Sequence, residues 1–296
     1  MPMNLAGYTT IKPISEAQDY TATFYGTIVD GRGYRSLSIL QGADAITGSS
    51  HTKTGAVKYG SFTSISAYDY TTTGDTWIPL RNSGTDNVKI AHKFTTASGS
   101  TPTFYSVTMR LREEGTVAAS KYVWLTVEGD SSGPDGSAVW TSYKKAAADI
   151  STASGGEDVT FYFRGGATSA LTASTVYYAV LQGDYSASTS NQIQARVDTV
   201  ASGGTVYLYD SAWANVTTQS LETTASVVAS WTTISANAFT AATATIEDVE
   251  ATVVQEQVVD LTQYGPAIRY ECVGAGTETT ALMYAVGILG DPKYPS

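Results

Sequence analysis

Val176-Tyr177-Tyr178-Ala179-Val180-Leu181 decides the fold, because this stretch is apolar at every position. Side chains along a β-strand alternate between the two faces of a sheet, so the stretch carries apolar groups on both faces. Such a strand is typical of the covered centre of a sheet. We therefore predict a central strand here, with neighbours on either side.

The segments around this strand alternate between apolar and polar residues, which predicts strands with one face in a core. We expect these residues to face the core: Val88, Ile90, His92, Phe94, Tyr105, Val107, Met109, Leu111, Val123, Leu125, Val127, Val159, Phe161, Phe163, Ile193, Ala195, Val197, Val206 and Leu208. The pattern gives about eight strands between residues 86 and 222, at the spacing of a β-sandwich.

The rest of the chain is less regular. Residues 1–20 contain two prolines and no clear period, which predicts an N-terminal arm that orders on a neighbour. Near the C-terminus, residues 267–273 and 281–289 are strand-like, and the small residues 274–276 between them predict the turn of a closing hairpin.

The composition favours an all-β chain with a polar but weakly charged surface. Of 296 residues, 42% are hydrophobic and only 15% are charged, while the 20 tyrosines and abundant Ser and Thr suit strands. A net charge of −10 would repel nucleic acid, so we expect no nucleic-acid partner. No stretch reaches the roughly 20 apolar residues of a membrane span, and no secretory signal is evident. The single cysteine, Cys272, excludes an intramolecular disulfide and is expected to be a buried strand thiol.

Two short stretches resemble the two ends of a small domain in head-decoration and related virion proteins of tailed bacteriophages. The first is Val29-Asp30-Gly31-Arg32-Gly33-Tyr34-Arg35-Ser36-Leu37, followed by Gly42-Ala43. The second comprises Val259-Asp260-Leu261, Ala267-Ile268-Arg269-Tyr270 and Ala285-Val286-Gly287-Ile288-Leu289-Gly290. The resemblance implies that residues 21–85 and 223–296 pair into one discontinuous β-sandwich base domain that docks on a capsid.

The residues between these two ends resemble jelly-roll modules of the carbohydrate-binding and cell-surface type. The matching stretches are residues 106–111, 124–130, 133–136, 160–163 and 171–181. Ser174 stands where those modules usually have glycine. The resemblance implies that residues 86–222 form an inserted jelly-roll β-sandwich, and it assigns no binding residues.

Residues suited to catalysis are few, so we expect no enzymatic activity. His51 is predicted to lie in a polar loop, and His92 on the core face of a strand. The acidic pairs at residues 113–114, 157–158 and 247–248 are predicted to be solvated turn charges. The loop of residues 128–136 offers hard oxygen donors without the spacing of a calcium-binding EF-hand, so we predict a turn without metal and no cofactor.

Aromatic and polar residues on the predicted outer faces form the candidate binding set. Flat rings beside amide and guanidinium groups suit sugars, but the same residue types also build protein interfaces, and the sequence leaves both open. The set comprises Tyr122, Trp124, Tyr162, Gln192, Gln194, Arg196, Tyr207, Tyr209 and Trp213.

The leading functional prediction is a virion structural protein on the particle surface, a capsid decoration or head-fibre protein that docks on the shell and projects the jelly-roll domain. Its expected partners are the major capsid protein or neighbouring subunits, with a homo-oligomer of this chain. The alternative is a glycan-binding adhesin or phage tail receptor-binding protein. A secreted hydrolase accessory module is a third class, disfavoured by the missing signal.

Overall fold

The structure is a computed structural model that describes residues 8–19, 24–32, 34–64, 76–80, 88–165, 168, 170–185, 190–199, 204–240, 253–260 and 266–292. The chain divides into two compact units. Unit 1 comprises Met1–Phe62, Gly165–Ser169 and Val228–Ser296, and unit 2 comprises Thr63–Arg164 and Ala170–Val227.

Strands dominate the described residues, and the one helix among them is a 3-10 turn, Ala147–Asp149. The strands are β1 Tyr8–Asp19, β2 Phe24–Tyr25, β3 Val29–Asp30, β4 Tyr34–Gly60, β5 Phe62–Ser64, β6 Thr76–Leu80, β7 Lys89–Thr95, β8 Thr103–Glu114, β9 Tyr122–Asp130, β10 Pro134–Thr141, β11 Lys145–Ala146, β12 Glu157–Tyr162, β13 Val176–Gly183, β14 Gln192–Thr199, β15 Val206–Tyr209, β16 Trp213–Val216, β17 Gln219–Leu221, β18 Thr223–Val228, β19 Thr232–Thr240, β20 Val253–Asp260 and β21 Ala267–Pro292.

Unit 1 is built on two long strands, β4 with 27 residues and β21 with 26. They pair antiparallel along their whole length, from Ala267 opposite Gly60 to Pro292 opposite Tyr34. The sheet order is β1-β21-β4-β19, with β20 also on β4 and with β2 and β3 also on β21. Strands of globular proteins usually have about 5–6 residues, so this pair is unusually long.

The predicted C-terminal hairpin is wrong, because β21 runs without a turn through the small residues at its centre. Gly274 lies opposite Lys53 and Ala275 opposite Thr52, both in the ladder with β4. Glycine adopts extended backbone as well as turn backbone, so pairing with a long partner strand overrides the local turn signal.

The N-terminal arm also differs from its prediction, because residues 8–19 form β1 within this chain. Tyr8 lies opposite Gly290 and Asp19 opposite Leu282, so β1 covers the C-terminal part of β21. Pro13 is compatible with this position, since a strand at the end of a sheet tolerates a missing backbone N–H on its open side. Residues 1–7 and 20 of the predicted arm lie outside the described residues.

Unit 2 is a β-sandwich of two antiparallel sheets. Sheet 2 has the order β10-β9-β13-β7-β15-β16, with β11 also on β9. Sheet 3 has the order β17-β14-β8-β18-β5, with β12 on β8 and β6 on β14. The apolar stretch of β13 lies between β9 and β7, so the predicted central strand is confirmed.

The core of the sandwich lies between the two sheets, and the period-two pattern identified its members. Val123, Leu125 and Val127 of sheet 2 are fully buried in one cluster with Val107 and Leu111 of sheet 3. The other predicted core residues are also buried, apart from Val88, Tyr105 and Leu208, which are half-buried. Leu208 packs on the edge of the same cluster.

Aromatic rings extend the core across both sheets. Phe104 of sheet 3 contacts three rings, with centroids 5.5 Å from Phe94, 5.9 Å from Trp140 and 5.8 Å from Phe163. The edge-to-face arrangements among them are those that the charge distribution of aromatic rings favours.

The unit boundaries differ from the prediction at three places: the sandwich begins at Thr63 instead of residue 86, ends at Val227 instead of residue 222, and leaves out Gly165–Ser169. Strand β6 pairs with β14, from Ile193 opposite Leu80 to Val197 opposite Thr76, and therefore belongs to the sandwich. Residues Gly165–Ser169, predicted within the insertion, belong to unit 1, where the Gly165 N–H donates to Thr27 Oγ1 at 3.2 Å.

Candidate binding surface

The nine predicted site residues do not share one surface. Tyr122, Trp124, Tyr207, Tyr209 and Trp213 belong to sheet 2, whereas Tyr162, Gln192, Gln194 and Arg196 belong to sheet 3. Because the sheets pack on a common core, their outer faces point away from each other. The set therefore separates into smaller groups, each with its own surroundings.

Tyr207 is on the outer face of sheet 2 as predicted, but it is covered rather than open. Only 8% of this residue is exposed, and its ring packs edge-to-face on Tyr178 with centroids 5.0 Å apart. Ala91 and Val180 complete this second cluster, and Trp213 packs against it. Tyr207 therefore stabilises the sheet, and solvent does not reach most of its ring.

Tyr209 and Trp213 form a half-buried pair beside that cluster. Their ring centroids are 5.1 Å apart, and Lys89 Nζ lies 5.7 Å from the centre of the Tyr209 ring. Trp213 also covers Gly133, where a Cβ atom would stand 3.0 Å from the Trp213 Cβ. The positive φ of Gly133 and this close approach explain why glycine occupies the position.

The acidic loop after β9 is held by hydrogen bonds to its own carboxylates. Tyr178 Oη donates to Asp130 Oδ1 at 2.9 Å, and the Gly136 N–H donates to Glu128 Oε2 at 3.1 Å. Burial, helped by the hydrogen bond to Asp130, raises the pKa of Tyr178. The described residues contain no group of three or more His, Cys, Asp or Glu side chains placed to hold a metal. Glu128 and Asp130 thus have a structural task in this turn.

The two glutamines on sheet 3 are buried in a polar ladder. Gln192 and Gln194 are 4% and 7% exposed, and the Nε2 atoms of both donate to Glu114 Oε2, at 2.7 Å and 2.5 Å. Arg112 Nε donates to Gln194 Oε1 at 2.6 Å. The prediction that these two side chains are exposed for binding is wrong. The period of two along a strand assigns each residue to a face, but it does not indicate whether neighbouring side chains cover that face.

Trp77, which the sequence analysis did not single out, lies between two arginines on the same face. The guanidinium carbons of Arg112 and Arg196 are 4.5 Å and 5.9 Å from the centre of its ring. Arg196 Nε also lies 3.4 Å from Glu222 Oε2. Burial raises the pKa of Glu222, although Arg196 and Arg110 act in the opposite direction. Trp77 and Pro79 alternate with the buried Ile78 and Leu80, so period two along this strand could have assigned Trp77 to the outer face.

Three large apolar side chains are exposed among the described residues. One of them lies in the short segment of residues 141–146, and the other two belong to strands that are hydrogen-bonded to this segment. Tyr122, Tyr143 and Tyr162 are 37%, 42% and 46% exposed. The Tyr143 N–H donates to the Tyr162 carbonyl oxygen at 2.9 Å, and Ala146 pairs with Tyr122. We call Tyr122, Trp124, Tyr143 and Tyr162, with Lys144 and Arg164, the aromatic edge.

A cation lies over the rings at each end of the aromatic edge. Lys144 Nζ is 4.7 Å from the centre of the Trp124 ring and 5.7 Å from that of Tyr122. At the other end, the Arg164 guanidinium is 4.8 Å from the centre of the Tyr143 ring. The aromatic edge brings together Tyr122, Trp124 and Tyr162 of the predicted set. Tyr143, Lys144 and Arg164 were absent from that set. Tyr143 and Lys144 lie in a segment without strand periodicity, whereas Arg164 continues the predicted outer face of Tyr162 and was not included.

The candidate catalytic residues have structural surroundings. His92 is buried, with Nδ1 3.1 Å from Thr205 Oγ1, so the prediction of a core position is confirmed. His51 belongs to strand β4 and not to a loop. Glu113 is buried and accepts the Val117 N–H, which differs from the predicted solvated charge, while Glu157 accepts the Ser151 N–H at 2.8 Å.

Two predictions fall on parts that the structure does not describe. The backbone of Cys272 lies in β21 opposite Gly55, but its side chain is outside the described atoms. The acidic pair at residues 247–248 is outside the described residues. Within the described part of the chain, no helix combines the length and apolar character needed to cross a membrane.

Comparison with known proteins gives weak structural neighbours. No protein-family model matches the chain, and no curated protein does. Among solved structures, the infectious bursal disease virus VP2 subviral particle is similar at 9% identity and a TM-score of 0.21, over 98% of this chain and 83% of that one. The Gt strain of the same virus gives 8% identity and a TM-score of 0.20, over 97% and 80% of the chains. Likeness at this level does not indicate a role for this chain.

Proposed function

We propose that this chain is a structural protein of a viral particle, which docks through unit 1 and displays the sandwich of unit 2. The observation that carries the proposal is the pair of long strands β4 and β21 with the N-terminal strand β1 at the end of their sheet. The resemblance of residues 29–37 and 259–290 to phage head-decoration proteins falls on the same unit.

Strand β1 offers a means of docking. In the described part of the chain, β1 pairs with β21 on one side and has no strand on the other. The N–H and C=O groups of such an edge pair readily with a strand of another chain. A shell of repeated subunits presents the same partner strand at every position, so one edge contact would serve many copies.

The arrangement of unit 2 fits a displayed module. Its two sequence segments enclose their own apolar core, and unit 1 supplies the chain before and after them and the short Gly165–Ser169 between them. Domains of this kind are inserted without disturbing the host domain when both ends of the insertion leave at the surface. The acidic chain, with a net charge of −10, would also keep neighbouring particles apart.

The first experiment is to purify the viral particles and measure by mass spectrometry how many copies of this chain they contain relative to the major shell protein. A fixed ratio with many copies per particle supports decoration. A few copies per particle would favour a tail position, and absence from the particle would refute the proposal.

A second experiment tests whether β1 is the docking strand. Consecutive residues of a strand direct their N–H groups to opposite sides. Of Ile11→Pro and Lys12→Pro, one therefore removes a hydrogen bond to β21 and the other removes a donor on the open edge. We expect one variant to lose thermal stability, and the other to remain stable but lose binding to particles that lack the chain.

The matched control for this pair is Tyr162→Ala, which alters the sandwich and leaves unit 1 unchanged. It is expected to bind particles like the unmodified chain. If neither proline variant affects particle binding, docking through the edge of β1 is refuted.

A further inference from the structure

The aromatic edge leaves flat rings open to solvent where the rest of the sandwich covers them. Among the described residues, its three tyrosines are the exposed large apolar side chains, whereas Tyr178 and Tyr207 on the neighbouring face are buried. Grouped exposure of this kind marks a contact surface more often than single exposed residues do.

The backbone holds the tyrosines of this surface firmly in place. Ser142 and Phe163 form a bridge, and the Arg164 N–H donates to the Thr141 carbonyl oxygen at 3.1 Å. The Tyr162 ring rests on Tyr105, with centroids 5.2 Å apart. A ligand that stacks on these rings would therefore bind without having to order a loop first.

Arg164 adds a charge that its surroundings do not neutralise. Arg110 and Arg196 each lie within 3.4 Å of a carboxylate oxygen, but no described carboxylate is within ion-pair distance of Arg164. Its guanidinium stacks over the Tyr143 ring, and a stacked guanidinium keeps the N–H donors at its rim available. Arg164 is therefore an exposed local positive charge in a chain of net charge −10.

We propose that the aromatic edge binds a glycan that carries a carboxylate, as sialic and uronic acids do. The rings of Tyr143 and Tyr162 contact the apolar C–H face of the sugar, and Arg164 donates paired hydrogen bonds to its carboxylate. Lys144 Nζ lies 4.7 Å from the centre of the Trp124 ring, but its charge is paired with Asp184 at 3.5 Å, so Arg164 alone supplies the charge for the carboxylate.

The size of the surface favours a glycan over a protein partner. A stable protein interface usually buries about 800 Å² on each partner, contributed by about 20–30 residues. The aromatic edge consists of four rings and two cations along the short segment of residues 141–146. A few sugar units match that extent, and the proposal does not depend on the particle role.

The test is saturation-transfer NMR of the full chain with N-acetylneuraminic acid and with glucuronic acid, compared with N-acetylglucosamine and glucose as neutral sugars. We expect signals from at least one acidic sugar, with a Kd on the order of 1 mM, and weaker signals from the neutral sugars. Particles are not needed, so failure here would leave the docking proposal unaffected.

Variants then assign the contacts. Arg164→Gln is expected to weaken binding of the acidic sugar about tenfold and to leave neutral sugars unchanged, because it removes the charged donor alone. Arg164→Lys should recover only part of the affinity, since lysine cannot form the paired contact. Tyr162→Ala should weaken both kinds of sugar. Tyr209→Ala, on the other group of aromatic residues, is the matched control and should change neither.

Three results would overturn the proposal. The first is no saturation transfer from either acidic sugar. The second is equal binding of acidic and neutral sugars, unaffected by Arg164→Gln. The third is binding of a polyglutamate peptide, sensitive to Arg164→Gln, without any binding of sugars, which would identify the edge as a site for an acidic protein segment.

Discussion

The guanidinium carbon of Arg269 lies 4.3 Å from the centre of the Trp231 ring, in the interior of unit 1. The same carbon lies 5.0 Å from the centre of the Tyr25 ring. Arg269 forms an ion pair with Glu271, and Lys58 Nζ lies 2.5 Å from the same carboxylate. Burial lowers the pKa of Arg269, and Glu271 opposes that change. Arg269 and Glu271 are thus a buried ion pair in contact with two aromatic rings and joined by the partly exposed Lys58.

Arg269→Met is expected to destabilise unit 1 by about 3–5 kcal/mol, because it leaves the buried Glu271 carboxylate with Lys58 alone. Hydrogen exchange of the β4 and β21 backbone amides in urea, followed by mass spectrometry, reports on that unit. The double variant Arg269→Met with Glu271→Gln removes both charges and should recover part of the loss. Equal losses in the single and double variants would contradict this account.

Gly156→Ala should destabilise the sandwich by more than the cost of its backbone strain, because the added Cβ atom also collides with neighbouring atoms. A Cβ atom there would stand 2.5 Å from Trp77 Cη2 and 2.6 Å from the Leu111 carbonyl oxygen, and φ is +64°. Gly136→Ala is the matched control, since φ is +78° and no atom lies within 4 Å of the added Cβ. Gly136→Ala should lower the free energy of unfolding by about 1 kcal/mol, the cost of placing alanine in the left-handed backbone region. If thermal unfolding showed the same loss of stability for both variants, Trp77 would have moved away from the added Cβ atom at no cost.

Glu222→Gln should change how the stability of the sandwich depends on pH. Burial raises the pKa of Glu222 above its ordinary value of 4.5, so the folded chain holds this proton more tightly than the unfolded chain. The contribution of Glu222 is therefore greatest below pH 4.5 and is lost as pH rises through the folded pKa. Urea unfolding should show the unmodified chain losing stability relative to Glu222→Gln over that rise. Asp149→Asn is the control for removing one carboxylate, because Asp149 is exposed and is not among the groups that act on Glu222.

Phe104→Ala should lower the free energy of unfolding by about 3–5 kcal/mol, the range for deleting a buried aromatic ring. Its ring contacts Phe94, Trp140 and Phe163 at the centre of the core. The neighbouring Tyr105→Ala is the control, because that half-buried ring contacts Tyr162 outside the core cluster. A similar shift in the urea midpoint for both variants would contradict the assignment of Phe104 to the core.

The core of the sandwich was predictable because burial follows a local rule. In β9, alternate residues Val123, Leu125 and Val127 are all fully buried, as period two requires. Coverage of the outer faces was not predictable in the same way. Tyr207 and Gln194 occupy the predicted faces, yet partners distant in the sequence bury them.

Unit 1 departs further from the sequence prediction, because distant pairing decides its strands. The small residues at the centre of β21 predict a turn locally, but the whole of β4 is available as a partner and keeps the backbone extended. The sequence predicted only part of the aromatic edge, because contacts between distant residues decide its structure as well. Tyr143 and Lys144 lie in a segment without periodicity, and their positions depend on bonds to β12 and β9.

The pairing of β4 with β21 has a consequence for synthesis. During translation Tyr34–Gly60 emerges long before its partner Ala267–Pro292, while the sandwich segments leave the ribosome in between. The sandwich can therefore fold first, and the strand that joins the two halves of unit 1 arrives last. Until then β4 is open to strands of other chains, so newly made copies that meet at this stage can exchange strands before each one closes on itself.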